Sequence, residues 1–128
     1  MPRRSVQEFR KERAAGQARL MEADHHGLKR FLRLDSAAYE DGALPTATKH
    51  LLGLVASMVL RCDDCVDYHL EQCVKARCGK DEIIDAMNVA LIVGGSIVIP
   101  HLRRAMFTLD ELLTEPSDHR RGGGHGPQ

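Results

Sequence analysis

Apolar residues recur at helical spacing through most of this 128-residue chain, and no segment has the alternating pattern of a β-strand. The spacing predicts an all-α fold, a compact bundle of about six helices packed around one core. The length fits a single domain. The predicted helices run from about Val6 to Met21, Leu28 to Tyr39, Pro45 to Leu60, Cys62 to Ala76, Asp81 to Val93 and from the region of Pro100 to Leu113.

The two ends of the chain differ from its middle. Ser5 and Glu8 have the spacing of a capping box, and the amphipathic helix that they start has only a thin apolar stripe. Such a helix is expected on the outside of the body or against another subunit. Residues 114–128 have little apolar content and no period, which predicts a flexible C-terminal tail. Residues 1–113 are therefore the predicted helical domain.

The third predicted helix is apolar on almost every side, which predicts a position at the centre of the bundle. Glycines mark the ends of the next two helices. Gly79 is expected to end the fourth helix in the left-handed conformation, and Gly94 and Gly95 are expected to break the fifth. Pro100 is expected either to begin the sixth helix or to kink it.

Charge and composition argue against several classes of function. The 18 basic and 18 acidic side chains cancel, and aromatic residues make up 4% of the chain, so neither nucleic acids nor anionic membranes are expected partners. The longest apolar stretch, residues 89–100, contains two glycines and falls short of the roughly 18–20 residues of a membrane span. The amino terminus lacks the apolar run of a secretory signal, and a cytoplasmic location is expected.

The segment RCDDCVDYH carries the main chemical signal. In a reducing cytoplasm, cysteines are expected to be core, metal-binding or catalytic residues. Cys62, Cys65 and His69 lie at positions i, i+3 and i+7, so one face of a helix presents all three. If the helix begins near Cys62, its amide groups and dipole favour a thiolate, and Arg61 adds positive charge. These features predict a reactive dithiol.

A catalytic cycle follows from these residue types. His69 acts as general base for Cys65, through a direct or water-bridged contact. The Cys65 thiolate attacks an oxygen or sulfur electrophile, and Cys62 then attacks Cys65, which closes a disulfide and releases the product. A thiol electron donor reopens the disulfide.

Other interpretations of the cysteines stay open. Buried cysteines also serve as small core hydrophobes, which suits Cys73 and Cys78 better than the CxxC pair. One zinc ion cannot bind all of Cys62, Cys65, His69 and Cys73, because the helix separates the outer two by about 16 Å and zinc ligands lie about 2.0–2.3 Å from the metal. The two CxxC cysteines with a histidine from another segment could hold zinc, although no metal is expected. A thioredoxin fold is not expected, because no strands flank the motif.

The stretch from Lys49 to Leu113 resembles the AhpD-like alkylhydroperoxidase branch of the carboxymuconolactone decarboxylase superfamily. The matching segments are the helix KHLLGLVASMVL, the motif CDDCVDYH, the short helix EQCVKARCG and the helix DEIIDAMNVALIVGG. The resemblance implies an all-helical protein that assembles as trimers or hexamers and reduces peroxides or disulfides without an organic cofactor. It also implies that Cys65 attacks, Cys62 resolves and His69 is the base of a proton relay.

One position departs from this pattern. Relay members often carry a Glu on the preceding helix, at the place where this chain has His50. A histidine can also pass protons near neutral pH, so His50 is the fourth candidate site residue. The alternative is an ordinary hydrogen bond on the helix face.

The leading hypothesis is a thiol-dependent peroxidase or disulfide reductase that acts on a small hydroperoxide or disulfide. A non-catalytic redox-sensing oligomeric module is one alternative. Another is an enzyme like the decarboxylase relatives, acting on a small carboxylated substrate without need of the CxxC pair. The apolar third helix and the thin first helix favour a homo-oligomer, a trimer or hexamer by resemblance.

Overall fold

A computed structural model of the protein describes residues 3–116. Within this range the chain forms six α-helices and no strand, which confirms the all-α prediction. The helices are α1 (Val6–Glu22), α2 (His26–Ala38), α3 (Thr46–Val59), α4 (Asp63–Lys75), α5 (Lys80–Gly94) and α6 (Ile99–Thr114), and a 3₁₀ turn at Ser96–Val98 precedes α6. The predicted C-terminal tail lies mostly outside the described residues.

The core lies between α3, α4, α5 and α6. α3 packs against α4 and α5, and α4 also packs against α6. Burial of apolar surface stabilises this arrangement by about 25 cal/mol per Å², so it holds α4, and with it the CxxC segment, in place. The largest buried side chains are Leu54 and Met58 of α3, Val66 and Leu70 of α4, Ile83 and Met87 of α5, and Leu109 and Leu112 of α6.

α1 lies on the outside of this core. It begins with the predicted capping box, in which the side chains of Ser5 and Glu8 each accept a hydrogen bond from the other residue's backbone N–H. Val6 and Phe9 are its buried residues, and the helix contacts α2, α4 and α6. The thin apolar stripe therefore attaches α1 by its first turns.

α3 and α4 end in the same local structure. Arg61 and Arg77 adopt the left-handed conformation, with φ of 61° and 66°. The N–H of the next residue, Cys62 or Cys78, then donates to the carbonyl five positions back, at 3.0 and 2.9 Å, as in a Schellman motif. The prediction for Gly79 is wrong, because Arg77 takes the left-handed position and Gly79, with φ of −69°, caps the start of α5.

The end of α5 follows the prediction. Gly95 has a φ of 82°, a conformation that side-chain-bearing residues rarely adopt, and the helix stops there. Pro100 lies in the first turn of α6, where its missing N–H costs no helical hydrogen bond. Pro100 therefore begins α6 and does not kink it.

The central position predicted for α3 holds for one side of the helix only. Leu54 and Met58 are fully buried, whereas Leu52 and Leu60 are 55% and 76% exposed. The exposed side forms an apolar groove of about 550 Å³ between α3 and α5, which we call the α3–α5 groove.

α2 has no buried residue, so its apolar side chains Phe31 and Leu34 also face outward. None of the helices among residues 3–116 is long and apolar enough to cross a membrane.

Candidate active site

The two CxxC sulfurs meet at the start of α4. Cys62 is the N-cap of this helix, and Cys65 lies in its first turn. Their Sγ atoms are 2.7 Å apart, and the Cys65 N–H donates to the Cys62 Sγ at 3.4 Å. Cys65 is exposed and Cys62 is half-buried. The spacing of the motif thus brings the two sulfurs together, with one of them open to solvent.

Burial and the neighbouring charges act on the Cys65 thiol. Partial burial raises the pKa of the Cys65 thiol to about 12, with the neighbouring Cys62 sulfur and the Asp64 carboxylate adding to the effect. The expectation of a thiolate is therefore wrong for Cys65.

Two aspartates between the cysteines are held by side chains from elsewhere in the fold. Asp63 accepts hydrogen bonds from His101 at 2.7 Å and from Arg104 at 3.1 Å, both on α6. Asp64 pairs with Arg4, in the segment before α1. The two arginines compensate the acidic charge beside the sulfurs, and the contacts tie the start of α4 to both ends of the described chain.

His69 and His50 form a second pair, buried behind the sulfurs. They are 4% and 0% exposed, and their Nδ1 atoms are 3.1 Å apart. The Tyr39 hydroxyl lies 3.5 Å from the Nε2 atom of His69, and the Tyr39 ring stacks on His50 with centroids 4.5 Å apart. The structure therefore joins His69 to His50 and Tyr39 through its two ring nitrogens.

Burial determines the protonation of His69. Loss of solvent lowers its pKa to about 4, so the imidazole is neutral at pH 7. Gly53 of α3 makes room for the ring, because a Cβ at this position would lie 2.5 Å from Cε1 of His69. The close approach of α3 to α4 at Gly53 thus fixes the position of the imidazole.

A surface groove of about 480 Å³ runs between α1 and α4 and reaches Cys65. We call it the Cys65 groove. It contains both apolar and charged side chains, but Cys65 is its one reactive sulfur. Its lining residues are Phe9, Glu12, Arg13, Gly16, Gln17 and Leu20 of α1 and Asp64, Cys65 and Tyr68 of α4.

The other two cysteines form a separate pair at the far end of α4. Cys73 is fully buried and Cys78 is 9% exposed. Hydrogen bonding to the Cys78 thiol, with burial, raises the pKa of Cys73. Both are members of the hydrophobic core, as the sequence analysis favoured. Within residues 3–116, no group of three His, Cys, Asp or Glu side chains is placed to hold a metal ion.

The four candidate residues thus form two contacting pairs, Cys62 with Cys65 and His50 with His69. Tyr39 and Gly53 were missed by the sequence analysis. The signal that could have found Gly53 is a glycine inside a helix, which is usually retained for packing or function. Tyr39 was predicted only as the end of the second helix, and in the structure it is the C-cap of α2 and contacts His69.

Comparison with known proteins places these observations in a family. The carboxymuconolactone decarboxylase family model matches residues 26–107. A solved structure of a protein of that family from Thermotoga maritima is 50% identical, with a TM-score of 0.78, over 82% of this chain and 89% of that one. Its description names the antioxidative response as a suggested role.

Two further proteins are similar to this chain at lower identity. An uncharacterized protein of Cupriavidus necator is 27% identical over 93 residues, which are 73% of this chain and 82% of the relative. A carboxymuconolactone decarboxylase family protein from Legionella pneumophila is 22% identical and covers 84% of this chain and 96% of its own, with a TM-score of 0.78. This last likeness concerns the fold alone.

Proposed function

The chain belongs to the carboxymuconolactone decarboxylase family, and from this premise we propose that it is a thiol-dependent oxidoreductase that reduces hydroperoxides or disulfides through Cys62 and Cys65. The observation that carries the proposal is the 2.7 Å contact between the two sulfurs, one of which is exposed in a groove. A dithiol in this geometry can close a disulfide without a large rearrangement. The antioxidative role suggested for the Thermotoga relative adds support.

Cys65 is the attacking sulfur of the proposed cycle. It is the exposed member of the pair and the one that lines the groove. Because its pKa is raised, it needs a base at the moment of attack. The base in this proposal is His69, one helical turn away on α4, acting through water.

The bonds and electrons balance over three steps. Cys65 sulfur attacks the terminal peroxide oxygen, the O–O bond breaks, the organic part leaves as an alcohol, and Cys65 becomes a sulfenic acid. Cys62 then attacks the Cys65 sulfur, water leaves, and the disulfide forms. A dithiol donor reduces that disulfide by thiol–disulfide exchange and is itself oxidised. With a disulfide as substrate, the first attack releases a thiol in place of the alcohol.

His69 and His50 complete the proposal as a proton relay. His69 is neutral at pH 7 and lies one helical turn from Cys65, with the buried His50 at 3.1 Å. We assign to His69 the removal of the proton from the sulfur pair, through water, and to His50 the next position.

The setting of the proposed reaction is the reducing cytoplasm, where dithiol donors are maintained. The homo-oligomer also stays a proposal, and a monomer by light scattering at micromolar concentration would contradict it.

Steady-state turnover tests this function. The protein is supplied with a hydroperoxide and an excess of a dithiol, and peroxide loss is followed. We expect consumption of many equivalents per protein, and loss of turnover in Cys65→Ser. Consumption of a single equivalent would identify a redox sensor, and turnover that survives in Cys65→Ser would contradict the assignment.

A further inference from the structure

The Cys65 groove has walls from two different parts of the chain. α4 supplies the wall with the sulfur, and α1 supplies the other. α1 ends at Glu22, whereas the family match begins at residue 26. The element that faces the reactive sulfur therefore lies outside the matched part of the chain, where substrate preference can vary without change to the sulfur chemistry.

The surface that this groove offers to a ligand is mainly apolar. Phe9, Leu20 and the Tyr68 ring contribute carbon surface. The two carboxylates of the lining, Glu12 and Asp64, both pair with the guanidinium of Arg4. With Arg13 in the same lining, two guanidinium groups balance the two carboxylates, so the groove has no net charge and an uncharged organic group fits it best.

The charged end of Arg13 is also occupied within the lining. Its guanidinium lies over the Tyr68 ring, 4.6 Å from the centroid, which is a cation–π contact. This contact flattens Arg13 against the α4 wall. The groove is therefore bounded by stacked planar groups, a surface on which aromatic and other bulky apolar groups pack well.

Gly16 is the unexplained residue of the α1 wall. A glycine inside a helix is destabilising relative to alanine. Packing within the chain does not require it, because a Cβ built at Gly16 would meet no atom within 4 Å. Gly16 lines the Cys65 groove, and the absence of a side chain at this position keeps the groove open.

We propose that α1 sets the size of the group that reaches Cys65, and that Gly16 is the specificity-determining position which admits a hydroperoxide with a bulky apolar organic part. This inference rests on the proposed function, since it names the substrate class of the same site. A side chain at position 16 would occupy part of the groove that Cys65 also lines. Small oxidants would still pass.

Paired kinetics test the proposal in the full-length protein. Gly16→Leu is expected to lower kcat/KM for cumene hydroperoxide by about tenfold and to leave that for hydrogen peroxide unchanged within about twofold. Ala18→Leu is the matched control, because it adds a similar side chain on the exposed, opposite face of α1. Equal losses with both peroxides, or no loss with either, would overturn the proposal.

A second measurement separates this inference from the proposed function, because it needs no turnover. Cys65 is alkylated at pH 8 with iodoacetamide and with the bulkier N-phenylmaleimide, and the modification is quantified by peptide mass spectrometry. Gly16→Leu should lower the ratio of maleimide to iodoacetamide rates, and Ala18→Leu should not. A changed ratio in a protein without peroxidase activity would end the proposed function but keep the size filter, and an unchanged ratio overturns the filter. A molar mass that changes in Gly16→Leu alone would also overturn it, in favour of a subunit contact.

Discussion

Cys62 and Cys65 lie at the N-terminal end of α4, whereas Cys73 and Cys78 lie at its C-terminal end. Each pair has one cysteine directly after a Schellman turn, so the local backbone is the same at Cys62 and at Cys78. The surroundings differ. Cys65 opens into a groove and its partner caps a helix, while Cys73 and Cys78 are packed in the core.

In the proposed function, access to solvent decides which pair of sulfurs reacts. Both pairs bring two sulfurs into contact, so proximity alone does not distinguish them. Access does, because Cys65 is exposed in a groove whereas Cys73 and Cys78 are buried. We therefore propose that the first pair is reactive and that the second is part of the packing.

Loss of Cys62, the proposed resolving cysteine, is the change with the largest expected effect on this contrast. Cys62→Ser should lower multiple-turnover reduction of a hydroperoxide by about a hundredfold, because no second sulfur remains beside the Cys65 sulfenic acid. Cys78→Ser should turn over close to wild type. Steady-state rates and trapping of the sulfenic acid on Cys65 with dimedone provide the measurement. An equal loss in Cys78→Ser would show that the two pairs do not differ in function.

His69 lies between the two pairs along α4. The pH dependence of unfolding shows whether its surroundings are buried. Its pKa is lowered from 6.5 to about 4 by burial, so below pH 6.5 the unfolded chain binds the proton more readily than the folded one. The contribution of neutral His69 to the free energy of unfolding is therefore complete above pH 6.5, and it falls as the pH drops toward 4. The loss between pH 8 and pH 5 should be about 2 kcal/mol.

Urea unfolding at both pH values measures this loss. The control is His69→Gln, which carries no titrating group at this position and should lose about 2 kcal/mol less than wild type over the same interval. An equal pH dependence in the two proteins would place His69 in a solvated environment, more like that of Cys65 than of Cys73.

The free energy of unfolding gives the smallest expected difference between the two cysteine pairs. Cys73→Ser places a hydroxyl where a fully buried sulfur packs, and should lower the free energy of unfolding by about 1–2 kcal/mol. Cys65→Ser, at an exposed position, should change it by less than about 0.5 kcal/mol. Denaturant titration of the two variants checks the difference. Greater destabilisation by Cys65→Ser would reverse the assignment of reactive and packing roles.

The parts of the site that could be predicted are those that one helix determines. The CxxC spacing places two sulfurs on one helical face, and the contact at 2.7 Å follows from that local geometry. The six helices were predictable for the same reason, because each has its own apolar period. The end of α4 at Arg77 was not, since a non-glycine residue in the left-handed conformation leaves no sequence signal.

The rest of the site depends on contacts between helices far apart in the sequence. Tyr39 and Gly53 reach His69 from α2 and α3, and neither residue has a spacing relation to the motif. The Cys65 groove forms where α1 packs against α4. The raised pKa of Cys65 likewise depends on burial, which the pattern of one helix does not encode.

Mapping the four thiols by mass spectrometry after one equivalent of hydroperoxide tests the central claim most directly. The native protein is oxidised, quenched with an alkylating reagent and digested without reduction. We expect a disulfide between Cys62 and Cys65, with Cys73 and Cys78 recovered as alkylated thiols. A disulfide between Cys73 and Cys78 with Cys62 and Cys65 still reduced, or no disulfide at all, would contradict the account.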